Sequence, residues 1–200
     1  MKGHPDTAEI AAAAARLIVE EGLDWGAAKK RAQRDLGLRR AELPGNELLE
    51  DEVRAYLDLY FADTQPAELA ALRRVALAWM QRLAEFRPHL AGAVWRGTAT
   101  RLSAVSIDLY CDDSKAAELA LVNERVDYDT DALPREGGGE PVPVLTVASR
   151  SAELGDVVTV HLVVRDHDDL RGALKPDARG RPWRGDLAAV ERLLAVEGAA

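Results

Sequence analysis

Residues 92–110 read GAVWRGTATRLSAVSIDLY, and the fold turns on how this stretch is understood. Its first half is small and hydroxyl-rich and carries Gly97. Its second half alternates: Val105, Ile107, Leu109 and then Cys111 fall on one side, Ser106, Asp108 and Tyr110 on the other. A period of two is the pattern of a strand with one apolar face. The segment therefore predicts a small-residue turn followed by a strand with Asp108 on its polar face. In the turn, at Arg96, Gly97 and Thr98, backbone N–H groups can approach an anion without a Cβ in the way.

Downstream, the pattern keeps to strands and short helices. Asp156 to Val164 places Val158, Val160, Leu162 and Val164 on one face and Thr159, His161 and Val163 on the other. Val142 to Ala148 predicts a further strand, with Ser149 to Asp156 as a hairpin-like link, and Pro143 argues for a sheet edge because it cannot donate to a ladder. Asp113 or Ser114 is expected to cap a helix containing Ala117, Leu119, Leu121 and Val122, followed by a strand near Arg125 to Tyr128. Glu136 to Glu140 is a glycine-rich connection with no lysine-bearing helix after it, which excludes a phosphate loop. Asp186 caps a closing helix with Leu187, Val190, Leu193 and Leu194.

Upstream, the periodicity is helical. Asp6 or Thr7 starts a helix that Gly22 ends, and Asp24 caps a second that ends near Gly37. Asn46 is the expected N-cap of a third helix, with Leu49, Val53, Tyr56, Leu57 and Tyr60 at helical spacing. A long fourth runs from about Gln65 to Phe86, where Pro88 stops it. The expected division is a helical subdomain over 1–87 and an α+β domain over 88–200.

The chain has 200 residues and a formal net charge of −8, so any nucleic acid would need a local basic patch. A single cysteine, Cys111, excludes an intramolecular disulfide and is expected to pack on its strand's apolar face. Ile10 to Val19 is alanine-rich but flanked by Asp6, Glu9, Glu20 and Glu21, unlike a signal peptide. No run is long enough for a membrane span, and the expected compartment is the cytoplasm.

The 92–110 segment resembles the DNA polymerase β-type nucleotidyltransferase superfamily, in which Gly-Ser or Gly-Gly precedes a strand reading Asp-apolar-Asp/Glu. Gly97-Thr98 matches the first element and Ser106-Ile107-Asp108 the second. Ser106 stands where the superfamily has its first metal-binding carboxylate, and the interval Ala99 to Val105 is short. The resemblance implies a nucleotidyltransferase-like mixed sheet with flanking helices, magnesium at Asp108, and phosphate held by Arg96, Gly97 and Thr98. A third carboxylate belongs on a neighbouring strand, yet the 156–164 strand offers Thr159 and His161 there. Across nearly its whole length the chain is also similar to a small proteobacterial family labelled nucleotidyltransferase or UDP-N-acetylmuramate–alanine ligase. The similarity rests on Ile10 to Gly22, Ala28 to Ala32, Leu43 to Asn46, Phe86 to Leu90, Thr98-Ala99 and Asp112 to Lys115. The ligase label lacks a glycine-rich loop ending in Lys-Ser/Thr.

Two magnesium ions need several hard carboxylate oxygens, and Asp108 with a serine and a softer histidine is a poor set. Asp112 and His161 are the further candidate ligands. Each has a plainer role: helix capping for Asp112 or Asp113, a cross-strand hydrogen bond for His161. His167 among Asp166, Asp168 and Asp169 reads as a solvated turn. Lys29, Lys30, Arg31 and Arg34 form a solvated face, and Trp25, Trp79 and Trp95 are anchors. The expected function is that of a nucleotidyltransferase-like protein whose metal site is degraded, with little or no transfer activity. The alternatives are an active magnesium-dependent enzyme using a nucleoside triphosphate, and a non-catalytic nucleotide-sensing or protein-interaction module.

Overall fold

The computed structural model describes residues 5–135 and 138–198. Within the expected 136–140 connection, Glu136 and Gly137 lie outside the described residues. The fold is α+β, with helices preceding and flanking a six-stranded mixed sheet. It divides into two compact units, residues 1–67 with 98–102, and residues 68–97 with 103–200. The sequence boundary at 87/88 differs from this, because most of the long fourth helix groups with the sheet.

In the first unit, α1 (Pro5–Glu21) already includes Asp6 and Thr7, so neither is the cap that the sequence suggested. It buries Ile10, Ala14 and Ile18 along one stripe and ends at Gly22, which has φ +68°. α2 (Trp25–Asp35) is capped by Asp24, whose side chain accepts from Ala27 N–H at 3.0 Å. α3 (Asn46–Tyr60) has Gly45, not Asn46, at its N-cap; the Asn46 side-chain oxygen instead accepts from Lys29 Nζ at 2.7 Å. The core joins Ile10, Ala14 and Ile18 to Ala28, Ala32, Leu49, Val53 and Leu57, with alanines letting the helices approach closely. The basic face of α2 is solvated and balanced, Arg31 pairing with Glu21 and Asp35.

α4 (Gln65–Arg82) carries the chain into the second unit and ends four residues short of Phe86; residues 84–86 form a single 3₁₀ turn. The remaining elements are β1 (His89–Ala91), α5 (Gly92–Arg96), β2 (Val105–Cys111), α6 (Ala116–Asn123), β3 (Tyr128–Leu133), β4 (Val142–Ser151), β5 (Asp156–Asp166), α7 (Asp169–Ala173), β6 (Arg184–Asp186) and α8 (Leu187–Glu197). No strand precedes β1 among the described residues. The sheet order is β3-β4-β5-β2-β1-β6, with β2 and β5 parallel and every other pair antiparallel.

Several local readings shift. The expected turn at 92–97 is the short helix α5. The strand expected near Arg125 starts at Tyr128, since Arg125 turns left-handed at φ +57°. Neither Asp113 nor Ser114 is the cap of α6: Lys115 is, and Asp113 closes the preceding turn by accepting from Lys115 N–H at 2.9 Å. β4 is an interior strand, not the edge that Pro143 suggested. Its ladder with β5 starts at Val144, so Pro143 is paired only with β3 and takes no place between two neighbours. Asp186 caps α8 as read, accepting from Ala189 N–H at 2.8 Å.

The β2 register is the one its alternation predicts. Ile107 and Leu109 share an apolar face with Leu145, Val147, Val160 and Leu162, all buried. Ser106, Asp108 and Tyr110 share the other face with His161, Val163 and Arg165 of β5 and His89 of β1. That second face is also covered at its centre, where Asp108 and Tyr110 are each only 2 % exposed.

β6 sits tight against Trp95. A Cβ added at Gly185 would lie only 2.1 Å from two carbons of the Trp95 ring, and the ring is fixed by its Nε1 donating to Pro182 O at 2.9 Å. Gly185→Ala is expected to cost about 1–3 kcal/mol, the usual range for overpacking, read as a lower urea midpoint with an unchanged slope.

Candidate functional site

Asp108 lies at the centre of the second sheet face with arginines on both sides. Its Oδ1 accepts from Arg165 Nε at 2.7 Å, and its Oδ2 lies 2.8 Å from Arg184 Nη1. Arg184 Nη1 also donates to Tyr110 Oη at 2.6 Å, and the His89 ring meets Tyr110 edge-on at 5.4 Å. Burial pushes the Tyr110 hydroxyl pKa up, as does the Asp108 charge, against the opposing pull of Arg184. A carboxylate held between two guanidinium groups is a poor magnesium ligand, because a cation would have to displace hydrogen-bonded charges already in contact. Among the described residues, no group of three or more His, Cys, Asp or Glu side chains could hold a metal ion.

The two arginines reach from Asp108 to a cavity of about 470 Å³, lined by Arg135, Arg165, Arg184, Asp169 and the apolar Leu133, Pro134, Val142 and Ala173. Arg135 is tied to Asp169 by two contacts, of 3.2 and 3.1 Å. Three guanidinium groups thus face two carboxylates, leaving one net positive charge. Arg184 Nε is buried with no hydrogen-bond partner among the described residues. A second cavity, of about 210 Å³, shares Arg135 and Arg165 and adds Cys111, Asp112, Ser114, Glu140 and Asp166. Both open where β2 and β5 end. From there the chain leaves β2 through α6 toward β3 at one edge, and leaves β5 through α7 toward β6 at the other. Such divergence at the carboxyl ends of adjacent parallel strands opens a crevice suited to a ligand.

The sequence candidates fall into different places. Arg96 is enclosed, its Nη2 2.9 Å from Asp177 Oδ2, its Nη1 donating to Pro182 O at 3.3 Å and its guanidinium stacked 4.7 Å over Trp183. Gly97 is the left-handed cap of α5 at φ +77°, and its N–H donates to Ala93 O. Two of the three groups expected to hold phosphate, Arg96 and Gly97, are thus engaged within the chain, while Thr98 Oγ1 is buried with no hydrogen-bond partner among the described residues. Thr98 belongs to the 98–102 segment of the first unit and is buried. His161 makes the cross-strand hydrogen bond, its Nδ1 3.0 Å from Thr146 Oγ1, and burial lowers its pKa against a weaker upward pull from Asp131. Asp112 lines the second cavity rather than joining Asp108. His167 contacts Arg87, while Asp166 accepts from Asp168 N–H at 2.9 Å, closing the turn before α7. Cys111 is half-buried, with its thiol pKa raised by burial and by Asp113, Asp112 and Asp166.

Arg135, Arg165 and Arg184 escaped the sequence reading. Arg165 was within reach, since it extends the alternation of Thr159, His161 and Val163 by one step. Arg184 was not, because a strand of three residues has too few positions to show a period. No family model, curated protein or solved structure matches the chain.

Two stability predictions follow from these contacts. Asp108→Ala leaves Arg165 and Arg184 facing each other without their shared carboxylate, and is expected to cost about 3 kcal/mol in urea unfolding, with the wild-type midpoint indifferent to magnesium or EDTA. The second concerns acid. Burial alone would raise the Asp177 carboxyl pKa, but hydrogen bonds from Arg181 N–H, the Arg96 side chain and Arg179 N–H, with the Arg181 charge, hold it at about 2, below its usual 3.8. A depressed carboxyl stabilises the fold above its unfolded pKa and loses that contribution as pH falls through the folded value. Asp177→Asn should therefore flatten the loss of stability between about pH 4 and pH 2, measured by urea melts across that range.

Proposed function

We propose that this chain is a nucleotidyltransferase-like protein that binds a nucleotide by its phosphate in the arginine-lined cleft and does not transfer it. The observation that carries the reading is the use of Asp108: both its oxygens engage guanidinium groups that line the larger cavity. Asp108 holds Arg165 and Arg184 in place, so that these two, with Arg135, present planar donors to an anion. Guanidinium groups suit phosphate because two parallel N–H groups match two oxygens. The cavity volume lies within the usual range for small-molecule sites, about 300–1,000 Å³.

Ser106 supports the absence of transfer. It lies in register with His161 on the parallel strand, so the positions beside Asp108 supply a hydroxyl and an imidazole rather than carboxylates. Magnesium-dependent attack on the α-phosphorus needs those charges to hold the ion and stabilise the developing negative charge.

Equilibrium dialysis with ribonucleotides, with magnesium or with EDTA, tests the reading. The expected result is binding of equal strength in both, weakened at least tenfold by Arg165→Gln, and no release of pyrophosphate from any triphosphate. Magnesium-dependent pyrophosphate release that disappears in Asp108→Ala would overturn it in favour of an active transferase.

A further inference from the structure

We infer that the cleft selects a nucleoside monophosphate over a triphosphate, with the phosphoryl group in the larger cavity and the sugar hydroxyls in the smaller one. The inference rests on the proposed phosphate reading of the cleft and adds which phosphate ester it takes. Its basis is the unequal charge of two cavities that share Arg135 and Arg165.

The larger cavity has one net positive charge once Asp108 and Asp169 are set against its three arginines. A phosphate monoester brings about −1.5 to −2 charges, of which half or more is answered there. A triphosphate brings more, and no further cation lines either cavity among the described residues. The neighbouring space does not admit the excess. Asp112, Glu140 and Asp166 line the smaller cavity with the same two arginines, so a β- or γ-phosphoryl group entering it would meet three carboxylates. Those carboxylates and the Ser114 hydroxyl are instead acceptors for hydroxyl donors.

Geometry fixes the order of the parts. Arg135 and Arg165 belong to both cavities, so they mark the junction between the phosphoryl group and what it esterifies. Arg184 lines only the larger cavity, so that cavity holds the one guanidinium group that the smaller one lacks. On the same side Leu133, Pro134, Val142 and Ala173 supply an apolar wall. The smaller cavity is lined by Pro141, Pro143, Val164 and the half-buried Cys111, and its other six lining residues are charged or carry a hydroxyl. A sugar bearing free hydroxyls suits the second space better than a base does.

Calorimetric titration of the full chain with inorganic phosphate, the four ribonucleoside 5′-monophosphates, their triphosphates and the matching 2′,3′-dideoxy monophosphates tests this. At least one ribonucleoside monophosphate should bind ten times more tightly than its triphosphate and than inorganic phosphate. Removing the hydroxyls, or introducing Asp112→Asn at this exposed position, should reduce that ligand to the affinity of inorganic phosphate. Arg135→Gln, also at the surface, should weaken both. A triphosphate binding as tightly as its monophosphate, or dideoxy and ribo forms binding alike, would overturn the inference while leaving the cleft a phosphate site. If neither phosphate nor any nucleotide binds, or if Arg135→Gln changes nothing, the underlying reading of the cleft fails and this one with it.

Discussion

One carboxylate organises the sheet unit. Asp108, buried on β2, meets Arg165 of β5 and Arg184 of β6, two strands that the sheet order separates by β2 and β1. Neither charge type could be buried there alone, since an unpaired ion in a covered site costs several kcal/mol, as an order of magnitude. Together they form two ion pairs, and Arg184 Nη1 also donates to Tyr110 Oη. The arrangement ties the Arg165 and Arg184 guanidinium groups to one carboxylate beside the cleft.

This view reverses the role that the motif suggests for Asp108. In a metal-dependent transferase a metal-binding acid faces an open site and neighbouring acids, and its charge is answered by the ion. Here its charge is answered by arginines, which line the larger cavity. A strand with a central acid can thus support opposite electrostatics, according to what the neighbouring strands bring to the face. Fold likeness alone therefore says little about chemistry.

The segment that drew attention in the sequence is used for building instead. Arg96 anchors the 177–183 loop through Asp177, Pro182 and Trp183, and Trp95 packs over Gly185. These contacts place β6, and β6 carries Arg184 to Asp108. Residues that could have held a phosphate directly serve to position one that lines the cleft.

Local patterns determined a good deal by themselves. The alternation of β2 and β5, the Asp24 and Asp186 caps, the stop at Gly22 and the cross-strand role of His161 all depend on residues near one another in the chain, or on a period of two that any sheet would honour. The three-residue strands β1 and β6 were not legible, because their pairing comes from partners distant in sequence rather than from a pattern of their own. The cleft was hidden for the same reason. Arg135, Arg165 and Arg184 are spread over fifty residues of sequence, and each reads singly as a solvated surface charge. Only the sheet order, which sets β6 beside β1 and β5 beside β2, brings Arg165 and Arg184 to one buried acid. Charge interactions depend on distance in space, and tertiary structure alone decides that distance.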